Sequence, residues 1–333
     1  MTSPFDIEEI FPEDAGGSVR LPRRQSGSSP QGLAVTLLAD YTLRTRAWLP
    51  SAAIVALLAE SEVSTAGARA AVSRLARRGV VEGSRQGRRS SYRLTEAAAA
   101  SLSTGGRWVV ASMTDEEAWD GQWTLVAFSL PQEHNGQRRV LRHQLRWLGY
   151  APLYDGLWVS PHDLTAKAKG QLDQLAPGAL TVFRARQVDL GATVSRDPLD
   201  AWDTGAIAGH YESFMRRWSA LLPRIRSGDL GGAEAVRART EVMDTYRRFP
   251  FLDPQLPLSL LPTSWPRESA AKVFAAVYDG LAGAAEGHVR KVTARFADGP
   301  SPGIRAHSVA DLLAVGDQAA TVEAGGDQAA QVT

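Results

Sequence analysis

The sequence predicts an α+β chain of several domains, and three observations carry that prediction. The chain has 333 residues, of which 44% are hydrophobic. That is enough for more than one core, at roughly 150 residues per domain. The apolar pattern changes along the chain: helices closed by a basic hairpin, then alternating short strands and helices, then helices alone. Composition also shifts at both ends. Residues 1–30 mix acids with Gly, Ser and Pro, and residues 298–333 hold DGPSPG and two copies of GDQAA. Both ends are expected to be disordered tails, having too little apolar surface to offset ordering entropy. The expected domains are therefore 31–105, 106–196 and 197–297.

In the first domain an apolar stripe begins at Leu33, Leu37 and Leu38. Ser51 can cap a helix reaching Glu60, and Ser64 can cap another reaching about Arg78. Gly79 stands where a left-handed residue ends a helix. VVEGS and SSYRL then flank RQGRR, a strand, basic turn, strand pattern. Helix, turn, helix and hairpin make a winged helix-turn-helix.

The second domain alternates. WTLVAFSL reads as a strand. Gln137 to Leu148 is helical, with Leu141, Leu145 and Leu148 on one face. APLY and LWVS are strands around Asp155-Gly156, a hairpin turn. Asp163 to Leu175 is a weaker helix, and ALTVFRARQV is a last strand. This βαββαβ order is that of the ferredoxin-like fold. The third domain is helical over Tyr211 to Leu222, Gly232 to Phe249 and Ser269 to about Phe296. A proline-rich apolar loop, Phe249 to Pro266, precedes the last of these.

Composition excludes several chemistries. With no cysteine there is no disulfide, thiolate zinc site, iron–sulfur cluster or cysteine nucleophile, which fits a cytoplasmic protein. The acidic start lacks the charged and apolar regions of a signal peptide. No stretch approaches 18 uninterrupted apolar residues, so no membrane span is expected. No Walker loop, GxGxxG turn or GxSxG elbow occurs, and the six histidines show no HExxH-like spacing. No catalytic residue, metal or bound cofactor is expected.

The formal net charge of +1 hides a basic module. Residues 31–105 carry ten arginines against five carboxylates, which points to an anionic partner. On the second helix, Ala68, Ala71, Val72 and Leu75 would face the core with Val63. Thr65, Arg69, Ser73 and Arg77 then recur four apart on the opposite face. Such a helix fits a major groove, where arginine reads guanine and hydroxyls read base edges or phosphate. Thr65, Arg69 and Ser73 are the base-reading candidates. Arg74, Arg77, Arg85, Arg88 and Arg89 are the phosphate candidates, the last three at the wing turn. The expected partner is double-stranded DNA. A basic face on a protein-interaction scaffold is the competing reading. A metal-dependent nuclease built on the middle domain is another.

Arg138, Arg142 and Arg146 also lie four apart, and could cradle the anionic groups of a ligand such as coenzyme A phosphates or form a solvated face. The loop residues Phe251, Leu252, Leu256, Leu258, Leu260, Leu261 and Trp265 are too apolar to lie free in water. They pack across domains or wall an apolar pocket.

Taken together, LLADYTLR, VSTAGARAAVSRLARRGVVEGSRQGRRSSYRLT, WDGQWTLVAFSLP, RRVLRHQLRWLGYAPLYDGLWVSP and YRRFPFLDPQLPLSLLPTSWP followed by AAKVF resemble the PaaX family of transcriptional repressors of phenylacetic acid degradation. The resemblance covers roughly 33–290, in order. It implies a winged-helix DNA-binding domain and a middle domain similar to a small CRISPR-associated nuclease. It also implies a helical third domain, a homodimer on palindromic operators, and release by an acyl-CoA such as phenylacetyl-CoA. Arg138, Arg142 and Trp265 are then candidate effector contacts. Where that nuclease presents a metal-binding aspartate after its first strand, this chain has Ser129 and then Pro131, so nuclease activity is not expected.

Overall fold

A computed structural model describes residues 29–113, 118–176, 178–188, 196–297, 299 and 303–314. Most of the two expected tails, with both GDQAA copies, lies outside the described residues.

The elements run α1 (Pro30–Thr42), β1 (Leu49–Pro50), α2 (Ser51–Ala59), α3 (Thr65–Arg77), β2 (Val81–Gln86), β3 (Arg89–Leu94) and α4 (Glu96–Ala111). Next come β4 (Trp123–Phe128), α5 (Asn135–Trp147), β5 (Ala151–Tyr154), β6 (Leu157–Ser160), α6 (Ala166–Leu175) and β7 (Leu180–Ala185). The remainder is helical: α7 (Thr204–Ser219), α8 (Leu222–Ser227), α9 (Gly232–Tyr246), α10 (Phe249–Leu252), α11 (Arg267–Gly280), α12 (Ala282–Ala294) and α13 (Val309–Ala314). The chain is thus mixed α and β, with a three-stranded and a four-stranded sheet.

Two compact units form. The first holds residues 1–111, 215–247 and 271–333, and the second holds 112–214 and 248–270. The division does not follow sequence order, because the last third of the chain contributes to both.

In the first unit, β2 and β3 form an antiparallel hairpin in register from Val81↔Leu94 to Gln86↔Arg89. β1 adds on the other side of β3 through Leu49↔Tyr92. Leu37, Leu38 and Tyr41 of α1, Ile54 and Leu57 of α2, and Ala68, Ala71 and Leu75 of α3 meet with almost no exposure. Ser64 caps α3 by accepting from the Gly67 amide at 3.1 Å. Ser51 does not cap α2. It is the first helical residue after Pro50, and no side chain accepts there. The α3 helix ends at Gly79, whose φ of +70° suits a residue without a Cβ.

Helix α4 was not anticipated. Gly105 and Gly106 weaken its helical signal, and its bounds cross the expected domain limit at residue 105. α13 supplies the reason for one glycine: a Cβ at Gly106 would stand 3.2 Å from Leu312 Cδ2. The expected tail after residue 298 also needs correction. Ile304, Ala306, His307 and Leu312 are buried, and α13 packs on α4. A few apolar residues at the right spacing suffice when a preformed surface receives them. The single helix expected over Ser269 to Phe296 is likewise two helices, meeting at Leu281.

In the second unit the strand order is β5-β6-β4-β7, antiparallel throughout. Alternation gives each face its own core. Val126, Phe128 and Trp158 pack with Leu141 and Leu145 of α5 and Leu172 of α6. Trp123, Leu153 and Val159 pack with Trp202 and Leu260 on the other side.

Gly156 closes the β5–β6 hairpin at φ +79°, and a Cβ there would meet the backbone oxygen of Phe128 at 2.9 Å. Gly156→Ala therefore combines a left-handed residue with a clash against unyielding backbone. A loss of about 2 kcal/mol or more is expected, read as a lower urea midpoint with an unchanged slope.

Candidate functional site

The α3 helix divides cleanly into two faces. Ala68, Ala71, Val72 and Leu75 are buried. Thr65, Arg69, Ser73, Arg74 and Arg77 are all exposed, the first three with Arg77 forming one stripe. Arg85, Arg88 and Arg89 are exposed at the hairpin end. The tight turn through Gly87 (φ +60°) holds them together, and Arg85 Nε donates to the Gly87 carbonyl at 3.2 Å. All eight candidate residues thus belong to α3 and the β2–β3 hairpin of one unit. The turn into α3 is strained: Glu62 adopts φ +62°, which costs a non-glycine residue about 1 kcal/mol.

Charge alone overstated how many arginines this module offers to a partner. Arg46 donates to Glu82 at 2.7 Å and to the Leu94 carbonyl at 2.9 Å. Arg93 donates to the same Glu82 oxygen at 2.6 Å and lies 4.5 Å over the Trp48 ring. Arg44 pairs with Asp311 at 2.6 Å. These three are engaged within the first unit, and the remaining run of exposed arginines lies on α3 and at the β2–β3 turn.

The first unit also contains a buried charged cluster that no sequence spacing signalled. Asp40, on α1, accepts from the Tyr278 hydroxyl at 2.7 Å. Arg239, fully buried on α9, donates to the carbonyls of Tyr278 and His307, and its guanidinium lies 3.5 Å over the Tyr278 ring. Burial raises the Asp40 carboxyl above its ordinary value, opposed by the charge of Arg239. Burial likewise lowers Arg247 to about 10 and holds His307 below its ordinary range. His288 reaches Glu60 at 2.8 Å. The two are 228 positions apart, which no local motif search would find.

In the second unit the three candidate effector contacts do not converge. Arg138 donates to the Leu130 carbonyl. It lies one turn nearer the start of α5 than Arg142, beside the loop that precedes the helix. Trp265 donates to Asp253 at 3.2 Å. Asp253 is wholly buried and also receives Arg267 twice at 2.8 Å and the Tyr211 hydroxyl at 2.8 Å. Trp265 therefore belongs to a structural network. Arg142 alone lines a cleft, joined there by Arg146 and by Arg196, which the sequence did not single out.

Among the described residues no group of three or more His, Asp or Glu could hold a metal ion. No described helix is long and apolar enough to cross a membrane. Ser129, at the end of β4, donates its amide to the Ala179 carbonyl at 3.2 Å.

Three family models match in sequence order. They are "PaaX-like protein" over residues 29–98, "PaaX protein central Cas2-like domain" over 116–196, and "PaaX-like protein C-terminal domain" over 202–291. A curated relative, the transcriptional repressor PaaX of Escherichia coli (strain K12), is 28% identical over 243 residues. The match covers 71% of this chain and 75% of the relative. Among solved structures, the uncharacterized protein Rv0674 from Mycobacterium tuberculosis superposes with a TM-score of 0.51 at 20% identity. It covers 78% of this chain and 99% of that one. This last likeness concerns the fold alone.

Proposed function

This chain belongs to the PaaX family, and from that premise we propose a DNA-binding transcriptional repressor that reads its operator with α3 and grips flanking phosphates with the β2–β3 turn. It is a regulator rather than an enzyme. The observation that carries the reading is the exposed stripe Thr65, Arg69, Ser73 and Arg77, set opposite a fully apolar face. An α-helix presented this way has the dimensions of a major groove. Its fork-shaped guanidinium at Arg69 suits guanine O6 and N7.

On this reading α2, α3 and the hairpin are a winged helix-turn-helix. The order β5-β6-β4-β7 is read as a ferredoxin-like sheet. Two copies would place their α3 helices about one DNA turn apart. The protein would work in the cytoplasm as a homodimer. An acyl-CoA such as phenylacetyl-CoA would act as effector without being a catalytic cofactor. A coupling of about 1–3 kcal/mol between effector and DNA suffices to release the operator.

The test is fluorescence anisotropy on DNA from upstream of the protein's own gene, across a salt series. Arg69→Ala should lose about 1–3 kcal/mol on the preferred site and little on unrelated DNA. Arg88→Ala should weaken binding to all sequences and reduce the salt slope by roughly one. An Arg69→Ala protein with unchanged sequence preference would place the reading surface elsewhere.

A further inference from the structure

We propose that the cleft between α5 and the β5–β6 hairpin binds the diphosphate of a nucleotide, with the base laid against Tyr154. The cleft has a volume of about 300 Å³, near the lower end of small-ligand sites. Its charge is one-sided. Arg142 and Arg146, one helical turn apart, face it with Arg196. The one carboxylate there is Asp155, 94% exposed and 2.8 Å from Arg142.

The guanidiniums are positioned by the fold. Arg196 donates to the Leu153 carbonyl at 2.7 Å and lies 5.8 Å from the Tyr154 ring centre. Arg146 lies 5.5 Å from the ring centre of Trp158, which is buried. Both retain donors for an anion. Planar forks of this kind favour phosphate oxygens in pairs.

Tyr154 is 54% exposed. A large aromatic surface left in water beside three cations suits a planar ring joined to a polyanion. The shared chemistry is a nucleoside diphosphate, either free or as the nucleotide half of coenzyme A. This deepens the effector reading above and rests on it for the regulatory consequence alone. Binding itself is independent of DNA.

The experiment is calorimetric titration of the full chain with ADP and, separately, with coenzyme A. Saturable one-site binding to at least one of them is expected. Arg146→Gln and Arg196→Gln should each weaken it about tenfold or more. Arg139→Gln, also exposed on α5 but outside the cleft, should bind as the parent does. Asp155→Asn should tighten binding several-fold, because it frees Arg142 for the ligand. Tighter coenzyme A than ADP binding assigns the site to the larger cofactor, and equal binding assigns it to free nucleotide. No saturation by either probe at about millimolar concentration would overturn the proposal. So would full affinity in both Arg146→Gln and Arg196→Gln. Operator affinity of the same variants without ligand should equal that of the parent. That measurement keeps a failure of this site distinct from a failure of the DNA reading.

Discussion

Asp253→Ala is expected to destabilise the protein by about 3–5 kcal/mol, the usual cost of removing one partner from a buried ion pair. Asp253 accepts from the Arg267 guanidinium through both oxygens, and also from Tyr211 and Trp265. The substitution would leave Arg267, itself buried, without its counter-charge. It would also strip the Tyr211 hydroxyl of an acceptor. The aromatic packing around it, Tyr211 on Phe249 at 4.3 Å, would lose its polar anchor. Asp253→Asn retains an acceptor and the side-chain shape, and should lose clearly less. Urea unfolding followed by tryptophan fluorescence reads both. A loss below about 1 kcal/mol for Asp253→Ala would show that the pair is solvated and does not hold the 248–270 segment.

Arg239→Met should cost about 3 kcal/mol. The shape of the stem is kept, but two buried carbonyls lose their donors and the Tyr278 ring loses its cation. This substitution carries a second signature in pH. Burial raises the Asp40 pKa in the folded state above 3.8. The folded protein therefore holds that proton more tightly than the unfolded chain. The associated stability is fully present below the unfolded value and is lost as pH rises through the raised folded one. Arg239 opposes the shift, so without it the folded pKa climbs further. The loss of stability with rising pH then extends over a wider range in Arg239→Met. Parallel pH–stability curves for the two proteins would show that Asp40 does not respond to Arg239.

The arrangement of α3 was legible because its signals are local and agree. Ser64 caps, Gly79 stops, and Ala68, Ala71, Val72 and Leu75 keep a 3.6-residue period between them. The short strands of the second unit were legible for the same reason, with Asp155-Gly156 marking their turn. What escaped depends on distant partners. That Arg46 is taken up by Glu82, 36 positions away, could not be read from local spacing. The cleft joins Arg142 and Arg146 to Arg196, some fifty positions later. α4 was hidden by Gly105 and Gly106, the second of which leaves room for Leu312. The 303–314 segment was hidden because its composition is that of a tail while its position is that of a core.

That segment has a consequence in time. The end of α1 is completed by residues far downstream: the Tyr41 and Asp40 carbonyls accept from the amides of Arg305 and His307. Thr45 donates to the Gly303 carbonyl across 258 positions. At about 5–20 residues per second, a ribosome needs roughly 13–50 s to make that stretch. During synthesis the amino-terminal module must wait, its helix end unsatisfied, for chain that does not yet exist. A growing polypeptide therefore carries an unfinished α1 end, and a chain cut before residue 303 would never complete it.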